Sequence, residues 1–233
     1  LSNSFDDEWT NILFVGRLIP NKRIEDVIRF FHTYQTRYNQ NSRLLLVGSY
    51  DGFADYHASI SALLGRLGTH DVHMVGHVSN EELTAIYNIA DLFLSASEHE
   101  GFCVPLIEAF YKEIPVLAFH AAAIPSTMDG AGVLYDHKDP RHVASLMHAV
   151  LSDDSLADEI IHSQNGALDR LQAKDFSATL FNFIDQVKNI PRRSPPRVTW
   201  DFWKQFYLSE KLDELRQYRP AVFQALPEDT PST

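Results

Sequence analysis

Compact apolar runs alternate along the chain with longer stretches in which apolar residues recur every three or four positions. The compact runs predict six strands, at residues 11–15, 43–47, 71–75, 91–96, 115–119 and 132–135. The longer stretches predict helices at residues 24–38, 53–67, 79–90, 104–112, 139–151, 154–171 and 175–189. Strands that are apolar on both faces and alternate with helices are typical of a parallel sheet covered on both sides. The pattern therefore predicts an α/β fold, a doubly wound parallel sheet of about six strands.

The pattern changes near residue 190. Residues 191–196 contain three prolines and two arginines, which predicts a stiff, exposed connector. The next stretch carries an aromatic stripe at helical spacing, formed by Trp200, Trp203, Phe206 and Tyr207. This stripe either packs against the preceding domain or docks onto a partner domain or a membrane surface. We therefore predict an α/β domain over residues 1–190, followed over residues 191–233 by the connector, a C-terminal helical tail and an end that is disordered from residue 227.

Charge and cysteine content narrow the classes of function. The 233-residue chain carries a formal net charge of −11 and no run of more than two basic residues, so we expect no binding to nucleic acid. Its single cysteine, Cys103, allows neither an intramolecular disulfide nor a cysteine-based zinc site. We expect a cytoplasmic protein, with peripheral membrane association as the alternative. The first residues resemble no signal peptide and lack an initiator methionine, so we expect an excised piece of a protein or a processed product.

Polar residues follow the first predicted strand, at the edge where such sheets bind ligands. In the stretch GRLIPNKRIED, residues 16–26, Gly16 allows a tight turn, and Arg17 and Lys22 flank the loop. The next helix is expected to begin near Lys22. Helix N-termini and cations both favour anions, so the loop suits a diphosphate, and solvated surface charges are the alternative. The loop matches neither the Walker pattern nor the dinucleotide fingerprint.

A second polar stretch, HEGFCVPLIEAF at residues 99–110, follows the fourth predicted strand. Gly101 and Phe102 lead into a helix start, where free backbone N–H groups favour a negative ligand. Glu108 lies about one turn further on, among apolar residues, where an unpaired charge is costly. It therefore needs a partner, which we expect to be a backbone amide, a hidden lysine or arginine, or a vicinal diol such as that of ribose.

Together, the segments GRLIPNK and EGFCVPLIEA resemble the donor-binding domain of the retaining glycosyltransferases of the GT-B fold, family four. The resemblance covers about residues 10–190 and implies the Rossmann-like C-terminal half of a GT-B fold. It implies a nucleotide-diphosphate sugar as the donor, a UDP- or GDP-sugar, and no other cofactor. The family's enzymes also have an N-terminal domain that binds most of the acceptor, and we expect that domain to be missing from this chain.

The resemblance also implies roles for single residues. Arg17 and Lys22, beside Gly16, match the pair that binds the donor diphosphate. Glu100 matches the glutamate that contacts the transferred sugar, and with the two cations it completes the expected catalytic residues. Glu108 matches the glutamate that binds the ribose hydroxyls. The backbone of four further residues is expected to surround the sugar and phosphate: Gly101, Phe102, Cys103 and Val104. His77 and Val78 are expected to contact the base.

Three positions depart from the family's pattern. Cys103 stands where the family usually has glycine, which narrows the approach to the sugar phosphate. The segment FHAAAIPST, residues 119–127, has alanines and Ser126 where the family has a glycine pair and a glutamate, so weaker sugar recognition is expected. The second strand ends in GSY instead of Gly-x-Gly.

Other chemistries have less support in the sequence. The motifs H-E-x-x-H, Asp-x-Asp and G-x-S-x-G are absent, and Cys103 has no recognisable base. We expect no metal, because Arg17 and Lys22 already offer charge to a diphosphate leaving group. We predict a retaining hexosyltransferase of polysaccharide or glycan biosynthesis, of which this chain is the donor half. The alternatives are a non-catalytic nucleotide-sugar-binding or interaction module and, with less support, a sugar-nucleotide epimerase.

Overall fold

The computed structural model describes residues 7–190, 216–217 and 220–224. The chain divides into two compact units, Leu1–Asp175 and Phe176–Thr233. The first unit contains a parallel sheet and the helices that cover it, and it holds every residue for which the sequence predicts a role in the site.

Six strands form the sheet: β1 (Thr10–Val15), β2 (Ser42–Val47), β3 (Val72–Gly76), β4 (Leu92–Ser95), β5 (Val116–Phe119) and β6 (Val133–Tyr135). Their order is β3-β2-β1-β4-β5-β6, and every neighbouring pair is parallel. β1 and β2 pair along their whole length, from Thr10 opposite Ser42 to Val15 opposite Val47. The central strands are buried on both faces, and for this reason their sequences are continuous apolar runs. The predicted doubly wound α/β fold is confirmed.

The helices are α1 (Ile24–Arg37), α2 (Ala54–Leu67), α3 (Asn80–Asn88), α4 (Val104–Tyr111), α5 (Ile124–Met128), α6 (Pro140–Ser152), α7 (Asp154–Gln172), α8 (Phe176–Asn189) and α9 (Pro220–Gln224). All seven predicted helices are present as α1–α4 and α6–α8. Two short elements in the first unit were not predicted, α5 and a 3₁₀ turn at Pro20–Lys22. They are too short to show a helical period in the sequence.

The 3₁₀ turn separates Lys22 from the first long helix. Arg23 follows the turn with a φ of 53°, a left-handed conformation that interrupts helical geometry, and α1 starts at Ile24. The helix predicted to begin near Lys22 therefore begins two residues later, and the lysine lies on the preceding turn.

Two apolar layers, one on each face of the sheet, form the core. On one face α1, α2 and α6 pack against the strands through buried residues such as Ile28, Ile60 and Met147. On the other face lie α3, α4, α5 and α7, with buried residues such as Phe110 and Leu168. Because α3 and α4 pack on the same face of the sheet, side chains between the two helices contact each other.

Glycines bring the loops at the carboxyl edge of the sheet close together. A Cβ at Gly48, which follows β2, would lie 2.0 Å from the carbonyl oxygen of Gly16, so only glycine fits there. The backbone N–H of Gly48 donates to the carbonyl oxygen of Gly76 at 2.8 Å, and that of Gly16 donates to Val47 at 2.9 Å. The loops after β1, β2 and β3 therefore start side by side.

The second unit contains α8 and α9 among its described elements. The predicted connector at 191–196, the aromatic stripe at 200–207 and the end from residue 227 lie outside the described residues. The domain boundary predicted after residue 190 stays a prediction.

Candidate functional site

The strand order creates a crevice at the carboxyl edge of the sheet. β1 and β4 are neighbours, although they are distant in sequence. The chain continues from β1 to β2 on one side and from β4 to β5 on the other, so the loops after β1 and β4 diverge. Ligands of doubly wound sheets bind at such a switch point. The two polar stretches found in the sequence follow these two strands and border the crevice.

Lys22 and Glu100 meet across the crevice. The Lys22 ammonium forms an ion pair with the Glu100 carboxylate, and the two side chains are only 16% and 10% exposed. Asn21 fixes the two loops to each other, because its Nδ2 donates to the His99 carbonyl oxygen at 3.1 Å and its own carbonyl oxygen accepts the backbone N–H of Glu98 at 2.9 Å. The structure thus brings together one residue expected to bind the phosphate, Lys22, and the residue expected to bind the sugar, Glu100.

Arg17 lies on the other side of the loop after β1. Its Nη2 donates to the carbonyl oxygen of Asp51 at 3.2 Å, and its guanidinium carbon lies 5.6 Å from the centre of the Phe53 ring. The residue is exposed, and its contacts are with the loop after β2. Gly16 is beside Lys22 instead, since a Cβ on this glycine would lie 3.9 Å from Lys22 Cε. The two cations of the predicted diphosphate pair therefore have different partners.

The segment from Gly101 to Val104 leads into the N-terminus of α4. Its four backbone N–H groups make no hydrogen bond to any residue in the described part of the chain. The side chains of Phe102 and Val104 are 45% and 55% exposed. Free N–H groups at a helix start favour an anion. The segment therefore presents the free N–H donors that the sequence predicts for a phosphate-binding loop.

Cys103 is the N-cap residue of α4 and has a φ of 63°, the left-handed region that favours glycine. Burial raises the pKa of its thiol to about 12, and the neighbouring Glu100 carboxylate acts in the same direction. The thiol therefore stays protonated at neutral pH, and a thiol is a poor nucleophile. This agrees with the absence of a recognisable base for Cys103 in the sequence.

Glu108 has a tyrosine as its partner. The Tyr87 hydroxyl on α3 donates to Glu108 Oε2 at 2.8 Å. Tyr87 is 3% exposed, while Glu108 lines an open cavity of about 510 Å³ between α3, α4 and α7. The expectation of a backbone amide or a hidden cation as the protein partner is wrong, because a buried hydroxyl from the adjacent helix supplies the hydrogen bond.

His77 and Val78 follow β3, at one side of the sheet. The His77 side chain is exposed, whereas Val78 is partly buried and packs against the apolar layer that contains α3 and α4. Strands in a sheet are about 4.8 Å apart, so the end of β3 lies roughly 10 Å from that of β1. The structure does not bring His77 and Val78 into contact with Lys22 and Glu100.

Two polar residues beside the crevice were not identified from the sequence. Thr127 on α5 donates its hydroxyl to the carbonyl oxygen of Phe102, which ties the segment before α4 to α5. Lys138, after β6, lies 2.9 Å from a Glu98 oxygen and 3.5 Å from the buried Asp26 carboxylate. Both residues follow strands at the carboxyl edge, and this position is the signal by which they could have been found.

Residues 2–165 match the model of the family described as glycosyl transferases group 1. The chain belongs to this family. The resemblance that the two sequence stretches carry is therefore confirmed, and the GT-B fold of the family accounts for the six-stranded parallel sheet.

Known members of the glycosyl transferases group 1 family share sequence or fold with the chain. O-antigen chain mannosyltransferase B of Escherichia coli is 28% identical over 167 residues, which are 71% of this chain and 42% of that protein. The C-terminal domain of the group 1 protein LpcC of Francisella tularensis has a TM-score of 0.59 and 20% identity, over 69% of this chain and 85% of that one.

A structure with bound ligands has the same fold. Alr3699/HepE of Anabaena, in complex with UDP and glucose, has a TM-score of 0.64 and 20% identity, over 78% of this chain and 49% of that one. This chain therefore spans about half the length of that protein and less than half of the E. coli mannosyltransferase.

The described residues give no sign of a metal centre or a membrane span. Within them, no three His, Cys, Asp or Glu side chains are grouped so that they could hold a metal ion. None of the described helices is long and apolar enough to cross a membrane. The aromatic stripe on which peripheral membrane association was predicted lies outside these residues.

Proposed function

We propose that this chain binds a nucleotide-diphosphate sugar, a UDP- or GDP-sugar, in the crevice between β1 and β4, and that it supports retaining transfer of the hexosyl group to an acceptor. The observation that carries the proposal is the meeting of Lys22 and Glu100 beside the free N–H groups of the segment before α4. A cation and a helix start bind a diphosphate, and a carboxylate binds sugar hydroxyls.

The donor lies across the carboxyl edge of the sheet. Its diphosphate contacts Lys22, Arg17 and the backbone N–H groups of residues 101–104, and its sugar contacts Glu100. Its ribose binds Glu108 and its base reaches His77 and Val78. The distance of roughly 10 Å between the ends of β1 and β3 is suitable for a nucleoside. The complex of HepE with UDP and glucose supports a donor of this class.

The protein assists departure of the diphosphate. The bond between the anomeric carbon and the phosphate oxygen breaks, while the acceptor oxygen bonds to the same carbon on the same face. The acceptor proton passes to the departing phosphate oxygen. Lys22, Arg17 and the N-terminus of α4 stabilise the negative charge that develops on the diphosphate. These groups act without a metal ion in the proposed reaction.

The acceptor binds mainly to a second domain in this proposal. The chain spans 42% of the length of the E. coli mannosyltransferase, and it matches a structure described as a C-terminal domain. We infer that it is the donor half of a two-domain enzyme of polysaccharide or glycan biosynthesis.

Isothermal titration with UDP, GDP, ADP and their sugars tests this function. We expect the chain to bind UDP or GDP, and Lys22→Ala to weaken binding by at least about tenfold, because a hydrogen bond to a charged group contributes about 1.5–3 kcal/mol. Lys188→Ala is the matched control, since Lys188 is exposed on α8, in the other unit of the chain. The proposal fails if none of the nucleotides binds, or if both variants bind them like the wild type.

A further inference from the structure

Tyr87 is a buried polar residue to which the proposed reaction gives no role. Its ring stacks on Phe93, with centroids 6.4 Å apart and an angle of 13° between the planes. Its hydroxyl donates to Glu108 Oε2 at 2.8 Å and lies 3.4 Å from the Pro105 carbonyl oxygen. The ring and the hydroxyl are thus both held in place, and the tyrosine is a fixed donor.

This donor stays protonated at working pH. Burial raises the pKa of the Tyr87 hydroxyl above its ordinary value of 10.0, and the charge of the Glu108 carboxylate raises it further. The hydrogen bond from Tyr87 to Glu108 therefore does not depend on pH near neutrality.

The hydrogen bond fixes one of the two carboxylate oxygens of Glu108. In the described part of the chain, no other side chain donates to this carboxylate. Oε1 is therefore available to a ligand, and the bond at Oε2 limits rotation of the carboxylate. A group that is already oriented loses less conformational freedom when it binds a ligand.

We propose that Tyr87 is a positioning residue that orients Glu108 toward the vicinal diol of the donor ribose, and that it thereby sets a preference for ribonucleotides over deoxyribonucleotides. The inference rests on the proposed function, because it requires a nucleotide at this site. A tyrosine that served packing alone would act through its ring, which phenylalanine retains.

The experiment compares the affinity of the full 233-residue chain for UDP and GDP with its affinity for the 2′-deoxy forms, dUDP and dGDP. We expect the wild type to favour the ribonucleotide about tenfold. Tyr87→Phe should weaken ribonucleotide binding about three- to tenfold and leave deoxynucleotide binding nearly unchanged, so the preference shrinks. Tyr34→Phe is the matched control, because Tyr34 is equally buried but lies near the end of α1, at the opposite edge of the sheet.

A second comparison uses Glu108→Ala, which removes the acceptor of the Tyr87 hydroxyl. If Tyr87 acts through Glu108, adding Tyr87→Phe to Glu108→Ala causes little further loss of ribonucleotide affinity. Independent, multiplying losses would overturn the inference, and so would an unchanged ribonucleotide preference in Tyr87→Phe. In both of those cases nucleotide binding by the wild type leaves the proposed function standing. A wild-type chain that binds no nucleoside diphosphate overturns the proposed function and the inference together.

Discussion

At the scale of single residues, two departures from the family's glycine pattern hold a strained backbone conformation. Cys103 has a φ of 63° and Ala122, in the alanine run after β5, has a φ of 49°. Glycine adopts this left-handed region freely, whereas other residues are disfavoured there by roughly 1–2 kcal/mol. The two loops keep a conformation that suits glycine although neither residue is glycine. The narrower approach to the sugar phosphate that is predicted for Cys103 is then caused by its side chain and not by a different loop conformation.

This strain predicts that Ala122→Gly stabilises the protein. Ala122 is exposed, so its methyl group contributes little burial. Relief of the left-handed strain outweighs the added flexibility of the unfolded chain, and we expect the free energy of unfolding to rise by about 0.5–1 kcal/mol. Urea unfolding measures the change. Ala62→Gly, at an exposed position inside α2, is the control and should lower stability by about 1 kcal/mol. A loss of stability in Ala122→Gly would contradict the assignment of strain.

At the scale of elements, the sequence predicts those whose burial produces a regular pattern. β1, β2 and β4 are buried along their central residues and appear as apolar runs, and the long helices show their period over three or more turns. The 3₁₀ turn and α5 hold too few residues for a period, and proline at their starts fits either a turn or a helix.

The candidate site was only partly predictable for a related reason. The strand ends and the two motifs indicated Lys22, Glu100 and Glu108, because their positions in sequence carry the information. The partner of Glu108 could not be predicted, because Tyr87 lies 21 residues away on another helix and meets it only through packing on the sheet. The same applies to Thr127, which is 25 residues from Phe102.

The contact between α5 and the segment before α4 predicts a role for Thr127. Thr127→Val retains the shape of the side chain but removes the hydrogen bond to the Phe102 carbonyl oxygen. We expect nucleotide-sugar affinity to fall about three- to tenfold, because the segment proposed to surround the sugar and phosphate is less well fixed. Titration with the nucleotide sugar measures the loss.

A matched control for this variant lies in α1. Thr33 also donates its hydroxyl to a carbonyl oxygen, that of Arg29 at 2.8 Å within the same helix. Thr33→Val should leave nucleotide-sugar affinity unchanged. Equal affinities for Thr127→Val and the wild type would show that α5 does not support the site.

At the scale of the whole molecule, the proposed site places a few anion-binding groups on an acidic protein. The chain has a net charge of −11, yet Lys22, Arg17 and the start of α4 lie around one edge of the sheet. All of these groups belong to the first unit. Selection of the proposed anionic donor would therefore depend on the crevice and not on the overall charge.

A structure of the chain with bound UDP or GDP is the decisive test of the proposed donor site. We expect a diphosphate in the crevice between β1 and β4, within hydrogen-bond distance of Lys22 Nζ and of backbone N–H groups in residues 101–104. We also expect the ribose hydroxyls at Glu108. A diphosphate bound away from this crevice, such as in the cavity beside Phe53 and Tyr56, would rule out the proposed site.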